Sequence, residues 1–448
     1  MRILFWLSFL MFVTAEEILN LPGLDYELNF KQYSGYLDAS PTRKLHYWFV
    51  ESQNDPKTDP LIVWFNGGPG CSSLFGLLQE LGPFLINADG QTLHKNEYSW
   101  NKNASVVFLE SPAGVGFSYS IDGNVTTNDD LASLHNYEAI KHFYSKFPQF
   151  RFNDVFIAGE SYAGIYIPTL AVRIIDGLKD FDINLKGIAI GNGLVSSQLR
   201  FETVLPYNYY HGVMDEDAWE SIMECCDGKI DGCSFNNCNI IANSILYNYY
   251  DIHSKCSMDK TELPARFENV EYHDVVYMRK LWSSQKLQNY MPESIDDSNQ
   301  ECVPNSRLEQ YLNTPEVRDA LHVPSTVQDW IMCNYDINTK KYERSDDNDQ
   351  SENIRKVVGN NIRTLLYYGD VDSVCNFVMG QEFSSRLGLE KTSAKSAWFY
   401  DDRIIGGFRT VYDNLTFLTI NGAGHMVPQT HPRPMQHILQ RFIDGTEI

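Results

Sequence analysis

Ser161 is the residue best placed to do covalent chemistry. It lies in Gly159-Glu160-Ser161-Tyr162-Ala163-Gly164, after the apolar run Val155-Phe156-Ile157-Ala158 and before Ile165 to Val172, which reads as the start of a helix. A serine on a sharp strand-to-helix turn, flanked by small residues, projects its hydroxyl from the end of a sheet. The N–H of Tyr162 then sits at a helix start, where it can bind a developing oxyanion. A serine hydroxyl is a weak nucleophile until a base takes its proton. His425, in Gly422-Ala423-Gly424-His425, is a candidate base, and an aspartate of Gly369-Asp370-Val371-Asp372 is a candidate to orient it. Asn66-Gly67-Gly68-Pro69-Gly70 leaves backbone N–H groups bare for a second oxyanion contact. Taken singly, these are a Gly-Pro turn, a capping histidine and turn aspartates. The order Ser, Asp, His at successive strand ends selects the catalytic reading.

Those residues need a sheet to carry them. Leu61 to Phe65, Val106 to Leu109, Val155 to Ala158, Leu185 to Ile190, Thr364 to Tyr368 and Leu415 to Ile420 are apolar runs of the kind buried on both faces of a parallel sheet. Asn29 to Asp38 and Lys44 to Glu51 alternate as a hairpin. Leu131, Leu134, Tyr137, Ile140, Phe143, Tyr144 and Phe147 recur at helical spacing behind a capping signal at Thr127 to Asp130, and Pro434 to Ile443 reads as a closing helix. The charged run Lys340 to Asn353 reads as a solvated helix face or loop. Strands alternating with helices and this chain order predict an α/β-hydrolase fold, with a mostly parallel central sheet flanked by helices.

The chain has 448 residues and a formal net charge of -22, which argues against nucleic acid and anionic membrane surfaces as partners. Met1-Arg2, the apolar run Ile3 to Val13 and Val13-Thr14-Ala15 read as a secretory signal peptide over 1–15. The run is shorter than the roughly twenty residues a membrane span needs. Secretion makes disulfides the default state of the nine cysteines, and the sequons at Asn103, Asn124 and Asn414 agree with that route. Residues 196–305 are rich in Asn, Tyr, Asp and Cys and lack the strand-helix rhythm. They read as an inserted, disulfide-rich cap between core segments 16–195 and 306–448. A zinc cluster is the rival reading for these cysteines, and a weaker one outside the cytosol. Neither an H-E-x-x-H motif nor a phosphate loop is present, so no metal or other cofactor is expected.

Trp64 to Leu74, Glu110 to Ser120, Gly159 to Ala171, Gly369 to Asp372 with Cys375-Asn376, and Gly422 to Pro428 resemble the motifs of the serine carboxypeptidases, peptidase family S10, most closely its lysosomal branch. Ala163, a departure from the general elbow, is that family's own form. The resemblance implies Ser161 as nucleophile, Asp372 rather than Asp370 as orienting acid and His425 as base. It implies oxyanion donors at Gly68 and Tyr162, and a site for the substrate's terminal carboxylate built from Trp64, Asn66 and Glu160, with Glu80 supporting Glu160. Phe75, Cys375 and Met426 would line the substrate pocket. Phe75 replaces an acidic residue of the lysosomal branch, which favours an apolar C-terminal residue.

The same resemblance implies disulfides Cys71–Cys333, Cys225–Cys238, Cys226–Cys233 and Cys256–Cys302, where spacing alone leaves about 105 pairings of eight cysteines. It implies peptide substrates with a free C-terminal carboxylate, hydrolysed at acid pH in the lysosome or after secretion. A homodimer, a zymogen cut in the polar stretch 283–300 and a protective partnership with lysosomal glycosidases are further implications. An acyltransferase or esterase on the same scaffold is the competing activity, and a non-catalytic protective scaffold is the competing class.

Overall fold

A computed structural model describes residues 16–230, 233, 248–254, 305–345, 348–401 and 403–448. The expected signal peptide, most of the expected cap and the stretch 283–300 lie outside the described residues. Among the described residues the main sheet is eleven-stranded. Its principal strands are β1 (Gln32–Asp38), β2 (Arg43–Val50), β3 (Leu61–Phe65), β4 (Ser105–Leu109), β5 (Val155–Glu160), β6 (Leu185–Gly191), β7 (Arg363–Gly369), β8 (Lys391–Tyr400), β9 (Ile404–Tyr412) and β10 (Leu415–Ile420). Their spatial order is β1-β2-β4-β3-β5-β6-β7-β10-β9-β8, with the short strand Tyr119–Ser120 beside β2. The six central strands, β4 to β10 in that order, run parallel. The hairpins β1-β2 and β8-β9 add antiparallel edges.

The central strands are apolar on both faces because both faces are covered. Leu61, Val63 and Phe65 enter one core with Ile157, while Ile62, Trp64, Phe156 and Ala158 enter the other. This is the two-residue alternation of a strand split between two cores. The first core is closed by helices α1 (Asp129–Lys146) and α2 (Ala163–Gly177), and the second by the C-terminal helix α3 (Pro432–Asp444). Asn128 caps α1 by accepting the Leu131 N–H.

Two sequence readings need correction. The buried face of α1 includes His135 and Asn136, while Leu131 and Leu134 are only half-buried. Asn136 can be buried because Ser111 Oγ bonds its Oδ1 over 2.6 Å. The charged run Lys340 to Asn353 is not simply solvated. Within it Tyr342 is buried in a two-residue strand paired with Thr127–Asn128, and Asn348 and Gln350 are buried before the helix Ser351–Gly359. Charged neighbours mask Tyr342 in the sequence.

Candidate active site

Adjacent parallel strands bring their C-terminal ends together, and the predicted residues lie on those ends. Ser161 follows β5 with φ +62°, a conformation that costs a non-glycine residue about 1 kcal/mol or more. Its own backbone is held on both sides. Its N–H donates to Gly191 O over 3.0 Å, and its carbonyl accepts from Gly164 N and Leu194 N, each over 2.9 Å. Gly67 lies against this elbow. A Cβ there would sit 2.4 Å from Tyr162 N and 2.7 Å from Ser161 Cβ, so only glycine leaves the Tyr162 N–H open. Gly68, the other proposed oxyanion donor, has φ +109°.

Asp372 follows β7 and His425 follows β10. His425 Nδ1 lies 2.7 Å from Asp372 Oδ2, and both side chains are buried. Asp372 also accepts from Val374 N at 2.8 Å, Cys375 N at 3.2 Å and Asn192 Nδ2 at 2.8 Å. The neighbouring Asp370 instead accepts the Gly422 N–H over 2.6 Å and so ties down the loop that carries His425. The Ser161 hydroxyl makes no hydrogen bond to a described residue. Such contacts often tighten only once substrate is bound.

Beside Ser161 is a buried acid pair. Glu160 is the last residue of β5, and Glu80 is carried by a π-helical turn, Gly76–Leu81. Asn66 Nδ2 lies 3.0 Å from Oε1 of each, while Asn66 Oδ1 accepts from Trp64 Nε1 over 2.8 Å and from Gly76 N over 3.1 Å. Burial, in opposition to the Asn66 contact, pushes Glu80 up to about 7. Burial and then the charge of Glu80 hold Glu160 well above the usual carboxylate range. The Oε2 atoms of both are buried with no hydrogen-bond partner. Such an arrangement stores a proton and offers it to an incoming anion.

Phe75, Cys375 and Met426 are buried around these loops, and Cys375 is not in a disulfide. Cys71 is bonded to Cys333 and Cys226 to Cys233. Cys225 is also disulfide-bonded, while its expected partner Cys238, and Cys256 and Cys302, lie outside the described residues. Asn103, Asn124 and Asn414 are exposed. Among the described residues no group of three or more His, Cys, Asp or Glu could hold a metal ion.

Two contributors escaped sequence reasoning. Asn192 directly follows β6 with φ +38° and links Asp372 to Gly369 N. Tyr250 accepts the His425 N–H on its carbonyl over 2.7 Å, with its ring 5.0 Å from the imidazole. The turn Gly191-Asn192-Gly193 carries a faint signal for the first; nothing in an Asn- and Tyr-rich stretch marks the second.

A serine at φ +62° on the elbow after β5, with a hydrogen-bonded Asp–His pair after β7 and β10, defines the class as an α/β-hydrolase-fold serine hydrolase. Within that class the chain's motifs are decisive: the serine carboxypeptidase family model, Peptidase_S10, matches residues 22–445, and the chain belongs to this family. It is 39% identical to the lysosomal protective protein of Mus musculus over 96% of this chain and 94% of the relative. It is 38% identical to a serine carboxypeptidase of Caenorhabditis elegans, over 97% of this chain and 94% of that one. The prohormone-processing carboxypeptidase of Saccharomyces cerevisiae superposes with a TM-score of 0.73 at 23% identity, covering 95% of this chain and 94% of that one, a likeness of fold. The protein is a serine-type carboxypeptidase acting on peptides.

Proposed function

We propose that the enzyme releases C-terminal residues from peptides at acid pH, through an acyl-enzyme on Ser161. His425 takes the Ser161 proton as the hydroxyl attacks the last peptide carbonyl, then gives it to the leaving amino group. Asp372 holds His425 in the required tautomer and stabilises the imidazolium. The N–H groups of Gly68 and Tyr162 receive the oxyanion. Water, deprotonated by His425, then releases the shortened peptide. The observation that carries this reading is the buried Asn66–Glu80–Glu160 cluster beside Ser161. Trp64 aligns Asn66, and Asn66 with protonated Glu160 binds the terminal carboxylate, so only chain ends fit. Phe75, Met426 and Cys375 surround the flanking side chains and favour apolar ones.

The finer expectations belong to the same proposal. Residues 1–15 are a signal peptide, and 196–305 form a cap between the core segments 16–195 and 306–448. The enzyme works in the lysosome, a setting favoured by its similarity to a lysosomal relative and by its acidic composition. It is made as a zymogen opened within the cap, it forms a homodimer and it associates with lysosomal glycosidases.

The test pairs a free-acid peptide with its C-terminal amide at about pH 5. The protein is assayed before and after limited proteolysis, with Ser161→Ala as control and products read by mass spectrometry. A ladder shortening from the C-terminus, faster for the free acid and absent in the variant, is expected. Equal rates for acid and amide would overturn the carboxylate reading, and full activity before proteolysis would overturn the zymogen.

A further inference from the structure

Tyr162 enters the proposed chemistry only through its main-chain N–H, yet its buried side chain is firmly anchored. The phenol donates to Asp129 Oδ1 over 2.9 Å. Tyr342 donates to the same oxygen over 2.8 Å, and Ser345 N donates to Oδ2 over 3.3 Å. The Tyr162 ring meets the rings of Tyr342 and Tyr166 edge-on, at 5.6 and 5.2 Å between centroids, and the Arg344 guanidinium lies 5.5 Å from its centre. Asp129 is the first residue of α1, where the helix dipole favours a carboxylate. The pairing of Tyr342–Glu343 with Thr127–Asn128 sets Tyr342 at a fixed height beside it. Burial, and then the charge of Asp129, hold the Tyr162 phenol above its ordinary pKa, so it stays a donor throughout the working range.

We propose that Asp129 is a positioning residue for the hydrolytic reaction: by anchoring the phenol of Tyr162 it fixes the peptide plane between Ser161 and Tyr162, and with it the direction of the Tyr162 N–H. This rests on the reading of that N–H as an oxyanion donor. The physical reason is leverage. The 161–162 peptide follows a residue at φ +62°, and rotation there swings the N–H away from the point where charge develops. Such a donor is useful only when preorganised. Gly164 N and Leu194 N hold the carbonyl side of that peptide, and a phenol bonded to a carboxylate at its far end, packed between two rings, anchors the Tyr162 side and limits the remaining rotation.

The test uses the full chain and the variants Tyr162→Phe, Asp129→Ala and Asp129→Asn. Active sites are counted by complete phosphonylation of Ser161, so that unfolded molecules are not scored. Tyr162→Phe and Asp129→Ala are each expected to lower kcat about 10-fold, less than outright loss of an oxyanion donor, with KM changed by less than about 2-fold. Binding of a peptide aldehyde, which mimics the tetrahedral state, weakens by the same factor, while binding of the product amino acid does not change. The double variant Tyr162→Phe/Asp129→Ala is no slower than either single variant, and Asp129→Asn, which keeps an acceptor oxygen, recovers most of the rate. Unchanged kcat per titrated site, or equal weakening of aldehyde and product, overturns the role of Asp129. If the wild-type enzyme binds the aldehyde no better than the matching alcohol, the oxyanion reading fails and the proposal fails with it.

Discussion

Asn192 supports Asp372 from the neighbouring strand: its Nδ2 donates to Asp372 Oδ2 over 2.8 Å, while its Oδ1 accepts the Gly369 N–H over 3.0 Å. One amide therefore fixes both the acid and the strand end that carries it. Asn192→Ala leaves a buried carboxylate oxygen and a buried N–H short of a partner, which costs about 1–3 kcal/mol for each group. Because Asp372 then holds His425 less firmly, kcat should fall about 10-fold with KM little changed. Stopped-flow kinetics and a urea titration read the two effects. A stable variant with wild-type kcat would remove Asn192 from the site.

The acid pair predicts different pH profiles for two substrate classes. Glu80 is pushed up to about 7 and Glu160 is held well above the usual range, so below about 7 the pair retains a proton to share with a substrate carboxylate. As pH rises further Glu160, held up by burial and then by the charge of Glu80, loses its proton too, and the pair repels the carboxylate. For free-acid peptides kcat/KM should fall across this limb, mainly through KM. For C-terminal amides and esters it should not. Parallel profiles would show that the pair does not face the substrate terminus.

The same pair predicts a stability trend of definite sign. Its folded-state pKa values lie above the ordinary 4.5, so the folded protein holds more protons than the unfolded chain between about 4.5 and 7. The Glu80 part of this stability is full below 4.5 and is lost as pH rises through about 7, with a slope of about 1.4 kcal/mol per pH unit for each extra proton. Glu80→Gln removes the Glu80 part of the linkage, while burial still raises Glu160. It should therefore raise the thermal midpoint relative to wild type above pH 7 more than at pH 5. A pH-independent difference would refute the linkage.

What was legible in the sequence was what local pattern encodes. The six central strands are continuous apolar runs, and Ser161, Asp372 and His425 stand at their ends in recognisable turns. The edge hairpin Lys391–Tyr412 gave no such signal. Its outer strand is largely exposed, with Lys391, Lys395 and several small residues in place of an apolar face. Asn66, Glu80 and Glu160 form one cluster only because β3, the Gly76–Leu81 turn and β5 meet. Nothing in the spacing of three polar residues states that, and family resemblance supplied it. Tyr250 and Asn192 depend on contacts with residues more than a hundred positions away, beyond the reach of any periodicity.

Gly67 should tolerate no side chain. A methyl group there meets Tyr162 N at 2.4 Å, Ser161 Cβ at 2.7 Å and Glu160 O at 2.8 Å, all parts of the elbow rather than flexible side-chain ends. Gly67→Ala should cost at least about 100-fold in kcat, comparable with loss of an oxyanion donor. Gly359→Ala, at a position with nothing within 4 Å, is the control and should leave kcat unchanged. Wild-type turnover by Gly67→Ala would mean that the loop and the elbow separate in the working enzyme.

A second Ser–His–acid array lies away from the elbow, and burial argues that it holds structure. Ser34, His46 and Glu110 are all 0% exposed. Glu110 Oε2 lies 2.8 Å from His46 Nδ1 and accepts Phe117 N over 3.0 Å; its Oε1 accepts Trp330 Nε1 over 2.8 Å and a short bond from Ser72. Ser34 Oγ is 2.9 Å from His46 Nε2 and donates to Leu321 O over 2.8 Å. This one carboxylate thus joins β2, the glycine-rich loop after β4, the loop carrying the Cys71–Cys333 disulfide and Trp330. Removing it leaves an imidazole, an indole N–H, a hydroxyl and a backbone N–H buried without that partner. Glu110→Ala should lose about 3–5 kcal/mol, because several buried donors lose their acceptor together, and Ser34→Ala about 1 kcal/mol. Urea unfolding gives both values. Titrated active sites of the surviving Glu110→Ala enzyme should keep near-wild-type kcat, because this array stabilises the loops and touches no substrate. A large kcat loss per folded site in Ser34→Ala, at unchanged stability, would instead assign it a part in turnover.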